Sequence, residues 1–184
     1  MNKNSVAYNN LTTAVIANST SKIWAQAVNE WQIIDVEEDC TLSASCICGH
    51  PNLRYLFKIQ NKTNNNILFP IGSKCIKKFE RNELYEEATL NEKLFKLYHA
   101  IVDNQFLTFN SDFFSRKLID YLYKLGAFKP SIYNNYNPDL DHQFLITMFN
   151  KKTEKTISQQ KKVTAILLNS IKPFMLNLLS EKIK

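Results

Sequence analysis

No apolar run in this chain approaches the roughly 18 to 20 residues needed to cross a bilayer, so a helical membrane span is not expected. The opening segment, MNKNSVAYNN, lacks the basic-then-apolar order of a secretory signal, and the expectation is a cytoplasmic protein. Cysteine is missing everywhere except residues 40 to 75, where four fall together. Glycine occurs only three times in 184 residues, so each marks a place where the backbone needs it. There is no internal repeat, which leaves an ordinary globular chain. With 45% apolar residues, twelve Phe and eight Tyr, such a chain can bury a sizeable core, and wholesale disorder is excluded.

Acidic residues are scarce in one half. Residues 1 to 92 carry nine Lys and Arg against ten Asp and Glu, whereas residues 93 to 184 carry 14 against seven. The net charge of +6 therefore belongs to the second half. Hydropathy patterning divides the chain at a similar place. STSKIWAQAVNEW offers hydroxyl caps followed by Ile23, Ala27, Val28 and Trp31 at helical spacing, which predicts a first helix near residues 20 to 30 after a polar start. Ile34 and Val36 alternate with Asp35 and Glu37 as in a strand, and the acidic run Glu37, Glu38, Asp39 reads as a solvated loop face. LRYLFKIQ and ILFPIG, separated by the turn-forming NKTNNN, read as a β-hairpin.

Helices follow. Leu94, Leu97, Tyr98 and Ile101 form one stripe, and Phe114, Leu118, Tyr121, Leu122 and Leu125 form another that Gly126 should end. Pro130 and Pro138 bracket a tyrosine-containing loop, helices are expected near 139–150 and 157–181, and Pro173 should kink the last or divide it. The fold class is α+β: a zinc-stabilised hairpin and helix module at residues 1–88, with the N-terminal helix, followed by a helical part at 89–184 packed with it as one unit.

The zinc expectation comes from the cysteines. In a reducing compartment thiols serve metals or catalysis more than disulfides. The order is Cys40-x5-Cys46-x-Cys48-Gly49-His50, a hairpin, then Gly72-Ser73-Lys74-Cys75 opening a helix. This resembles the treble-clef and zinc-ribbon arrangement, in which a tight cysteine turn and a helix start share one tetrahedral ion. Gly49 permits the close turn, and Ser73 should cap the helix so that Cys75 sits in its first turn, where the helix dipole favours a thiolate. Cys40, Cys46, Cys48 and Cys75 are the expected ligands. Because Cys46 and Cys48 are one residue closer than in the usual knuckle, His50 stands as the alternative donor. His99 and His142 read as ordinary helix residues. A four-thiolate site leaves no open position for water, and no paired His and Asp constellation accompanies the knuckle, so an enzyme is not expected.

The block SCICGHPNLRYLFKIQNKTNNNILFPIGSKCIKKFER resembles a zinc-binding family found in phages and mobile elements of low-GC Gram-positive bacteria. The resemblance is specific from about Trp31 to Arg81 and looser over LFKLYHAIVDNQ and FFSRKLIDYLYKLGAF. A zinc-containing branch of that family is similar to the anti-CRISPR proteins, inhibitors of type II-A systems. It implies a protein of the bacterial host cytoplasm that docks on the type II-A CRISPR effector nuclease, with the guide RNA's phosphates as an added contact, and blocks target-DNA binding; a monomer is expected. DNA mimicry requires an acidic surface, which a basic chain does not offer. The alternative is a phage accessory protein that binds free nucleic acid through Lys151, Lys152, Lys155, Lys161 and Lys162, which cluster around the start of the last helix. The competing reading of that cluster is a solvated helix face.

Overall fold

The computed structural model describes residues 5–103 and 109–184. Two compact units emerge: residues 1–92 together with 181–184, and residues 93–180. The division falls inside a helix, after Glu92 rather than near residue 88, and the last four residues return to the first unit. No described helix is long and apolar enough to cross a membrane.

In the first unit, α1 (Val6–Ala17) and the single turn α2 (Trp24–Ala27) precede an antiparallel sheet of β1 (Trp31–Glu38), β2 (Tyr55–Asn61) and β3 (Ile67–Ile71), in that spatial order. The expected helix over 20–30 is thus only α2 and a 3-10 turn at Val28–Glu30, ending where Trp31 joins the sheet. The segment expected to be a polar start instead holds α1. Ser5 caps it by accepting from the Tyr8 amide, and it buries Leu11 and Val15. The hairpin forms as expected. Asn61 closes it by accepting from the amides of Thr63 and Asn64. The core is built of Trp31, Phe57, Ile59, Ile71, Ile76 and Phe79 with the inner face of α1. Full burial of side chains of this size contributes about 1.5–3 kcal/mol each.

β1 departs from simple alternation at a bulge. Ile33 pairs with Ile59 but Asp35 pairs with Lys58, so Ile34 is an extra residue and is exposed. Trp31 points inward before the bulge, and Val36 and Glu38 do so after it. This phase shift overturns the solvated reading of the acidic run. Glu38 is buried and paired with Arg54 at 2.6 Å, and Asp39 is buried beneath the loop that leads to the cysteines. The chain's last residues lie along β1. Glu38 donates to the Lys182 carbonyl, Lys184 donates back to Glu38, and Cys40 donates to Lys184. Lys182 pairs with Asp35 and Lys184 with Glu37.

After α3 (Ser73–Ile76), α4 (Asn82–Val102) carries the chain across the division. The second unit continues with α5 (Arg116–Lys124), α6 (Pro138–Asn150), α7 (Ile157–Ile166) and α8 (Lys172–Leu179). Its core includes Leu94, Phe95, Leu97, Leu118, Ile119, Leu122, Leu145 and Met175. Gly126, at φ +83°, ends α5 as expected: its amide reaches the Tyr123 carbonyl and that of Ala127 reaches Leu122. Between α7 and α8 the residues Leu167–Ile171 form a π-helical segment directly before Pro173. Pro173, which cannot donate, stands in the first turn of α8, so the helix expected over 157–181 is divided there.

Candidate metal centre

Asp39 begins the path to the site. Its carboxylate accepts from the amides of Thr41, Ser43 and Ala44 and from the hydroxyls of Thr41 and Ser43. The Thr41 hydroxyl, then the Ala44 amide and the Ser43 hydroxyl, hold this carboxyl well below the usual carboxylate range, although burial opposes them. The loop so fixed runs into a bridge between Ala44 and Leu53 that brackets the cysteine turn.

Within that turn the Cys46 amide donates to the His50 carbonyl at 2.8 Å, and the Gly49 amide donates back to Cys46 at 2.7 Å. Gly49 stands at φ +86°, a conformation most side chains resist. The Ile47 amide ties the turn to β3 through the Pro70 carbonyl, and Asn10 of α1 donates to the Cys48 carbonyl. From the other side comes α3. Its N-cap is Gly72, with no side-chain cap, so Ser73 does not play the capping part expected of it. Gly72 packs close to Leu53: a Cβ there would lie 2.8 Å from Leu53 Cδ2, the end of a side chain that would have to turn aside. The first turn then presents Cys75, whose amide donates to the Gly72 carbonyl.

These elements bring Cys46, Cys48 and Cys75 together, all three buried and unoxidised. The Sγ atoms of Cys46 and Cys75 are 3.7 Å apart and those of Cys75 and Cys48 3.4 Å. A tetrahedral ion with metal–sulfur bonds of about 2.3 Å needs edges of about 3.8 Å. The triad is compatible with three donors to such an ion, and thiolate donors suit a soft, thiophilic one. Its electrostatics point the same way. The interaction between Cys46 and Cys75 lowers the Cys46 thiol against burial, with the Cys48 and Gly72 amides assisting, while the same interaction, together with burial, raises Cys75. Without a cation the sulfurs share protons, and with one all three can ionise.

Cys40 is exposed and lies outside this group, whereas Cys46 and Cys48 both join it despite their short spacing. His50 is exposed and lines the cavity that the three cysteines share. Asn10 and Asp39 were not read as parts of the site. An Asp followed by hydroxyls at +2 and +4 was the signal available for the second, and nothing local marks the first.

The five lysines divide. Lys151 donates to Gln159, Lys155 lies 6.0 Å from the Phe109 ring, and Lys162 sits over Phe144 and 3.7 Å from Asp141. Lys152 and Lys161 are exposed. The second unit has another exposed feature, a loop at residues 131–137. Asn134, buried, donates to the Lys129 carbonyl and Asp141 and accepts from the Ser131 amide, while Asn135 and Tyr136 both take positive φ. Ile132, Tyr133 and Tyr136 are left 64%, 86% and 69% exposed, well beyond what a core contact would allow.

Comparison of the chain with protein-family models, with curated proteins and with solved structures finds no match.

Proposed function

We propose that this chain is a zinc-organised, non-enzymatic binding protein of a phage or mobile element, acting as an anti-CRISPR inhibitor of a type II-A effector nuclease. The observation that supports zinc is the buried triad of Cys46, Cys48 and Cys75, whose sulfurs lie close enough together to share one ion. Zinc has no redox chemistry and a preference for tetrahedral sulfur, so at this position it would hold the cysteine turn against α3. Residues Trp31–Arg81, which carry the resemblance to the phage family, contain the sheet, the turn and the triad, and the target is taken from that resemblance.

The mode of action follows from charge and from the loop at 131–137. Counted over the units, the first has 11 basic and 11 acidic residues and the second 12 and six, so DNA mimicry is not available. Three of the five clustered lysines engage neighbours within their own unit, which weakens the reading as a free nucleic-acid binder. The loop at 131–137, tied at Asn134, by contrast displays tyrosines of the kind that anchor protein interfaces. The test is co-elution of the zinc-loaded chain with guide-loaded type II-A effector on a sizing column, with free duplex and free guide RNA run in parallel. Association with the effector and not with the free nucleic acids supports the proposal, and the reverse result replaces it with the nucleic-acid-binding reading.

A further inference from the structure

The triad supplies three donors, and a structural zinc needs a fourth. Resting on the zinc reading above, we infer that the fourth ligand is the imidazole of His50 and that Cys40 is not a ligand.

Cys40 is fixed away from the triad at both backbone neighbours. Its own amide is bound to the Lys184 carbonyl, and the preceding Asp39 amide is bound to Arg54. Between Cys40 and Cys46 the chain is clamped by the five hydrogen bonds to the Asp39 carboxylate. Bringing Cys40 Sγ to the triad would work against that part-buried network, whose five hydrogen bonds hold the backbone on both sides of Cys40.

His50 meets none of these obstacles. Its backbone carbonyl closes the cysteine turn on the Cys46 amide, so its Cα is held beside the triad. Its ring stands outside the close group of the three sulfurs, but the residue is exposed and lines the same cavity, so the ring can turn toward them without leaving a packed position. The other polar residues of that wall are poor ligands. Arg54, Lys74 and Lys78 are cations. Tyr55 keeps its proton because burial, then the nearby Glu38 carboxylate, raises its phenol. Ser73 offers a neutral hydroxyl, a weak donor to zinc beside imidazole. The resulting site is three thiolates and one neutral nitrogen, with net charge of −1, where four thiolates would give −2.

The test uses the full chain and two probe ions. Zinc affinity would be measured by competition with a chromophoric chelator, and the coordination sphere by the visible spectrum of the Co(II)-loaded protein. Cys40→Ser should keep one ion per chain, the parent spectrum and an affinity within about twofold of the parent. His50→Ala should weaken zinc binding by at least roughly 10- to 100-fold, the range for loss of groups that support a metal ligand, and shift the Co(II) bands. His50→Cys should restore affinity with a spectrum of four-sulfur type. Both positions are exposed, so neither substitution empties the core, and circular dichroism of each variant at saturating zinc would check that it is folded before affinities are compared. Loss of metal from Cys40→Ser, or His50→Ala indistinguishable from the parent in both readouts, overturns the assignment while leaving the zinc reading intact. Less than about 0.3 ion bound to the parent chain overturns both.

Discussion

At the scale of single residues, the site depends on a few positions whose neighbours leave no alternative. Cys75 is the donor that links the cysteine turn to α3, and metal-binding free energy at such centres is largely folding free energy. Cys75→Ser should therefore release the ion and lower the melting temperature of the zinc-loaded protein by roughly 10 °C or more, read by calorimetry with and without chelator. If the variant and parent melt alike, the ion has no structural role. Gly72→Ala places a methyl group 2.8 Å from Leu53 Cδ2, the movable end of a side chain, so its cost should lie at or below the lower end of the about 1–3 kcal/mol of overpacking, measurable in urea. Asp39 makes a pH prediction. Its folded-state pKa is depressed, so its contribution is complete above the ordinary carboxylate pKa near 4 and is lost as pH falls toward the folded value. The amide of Asp39→Asn cannot accept the same bonds and does not titrate. The gap in urea midpoint between parent and variant should be constant from pH 7 to about 5 and narrow below about 4. A gap undiminished at pH 2 would mean that the charge does not hold the loop. Cysteine clustering and glycine placement made the triad legible in the sequence. The burial of Glu38 and Asp39 was not, because one bulged residue, Ile34, reverses which face of β1 is inward.

At the scale of elements, the hairpin was legible because Asn-rich turn chemistry separated two apolar runs, and α5 because its stripe ended at Gly126. α1 was hidden by its composition. Asn and Thr interrupt its apolar positions, and only Leu11 and Val15 are buried. Short segments such as α2 were overextended because a helical spacing of Ile23, Ala27 and Trp31 does not reveal that Trp31 already belongs to the sheet. No local signal could have placed residues 181–184 against β1, since the partners are separated by almost the whole chain. That contact carries its own prediction. Removing residues 181–184 deletes backbone hydrogen bonds at Glu38 and Cys40 and two surface ion pairs, the latter contributing no more than about 1 kcal/mol each. In hydrogen exchange the Glu38 and Cys40 amides should lose protection while Ile59, in the central strand, keeps its own. Equal loss across all three strands would show that the segment supports the whole sheet instead of covering its edge.

For the whole molecule, the decisive quantities are the charge of the second unit and the absence of acidic excess in either unit. An inhibitor built this way must work by occupying protein surface, and its affinity should depend on salt differently from a phosphate-driven contact. A protein held on nucleic acid by six to ten phosphate contacts loses about 10³- to 10⁵-fold in affinity between 50 and 200 mM salt. The zinc-loaded chain, incubated with guide-loaded type II-A effector before addition of labelled target duplex, should reduce both duplex binding and cleavage, and its own affinity for the effector should fall by less than about tenfold over that salt range. Replacing Tyr133 and Tyr136 together with Ala removes two exposed rings that contribute nothing to the core, so stability should hold while inhibition weakens, by at least tenfold if they anchor the interface. Replacing Lys152 and Lys161 should change mainly the rate of association, because exposed charges steer more than they hold. Unchanged target binding and cleavage at large molar excess, across several type II-A effectors, would remove the inhibitor reading. Inhibition abolished by 200 mM salt, and by the lysine replacements but not the tyrosine ones, would instead place the contact on the phosphates of the guide or target strands.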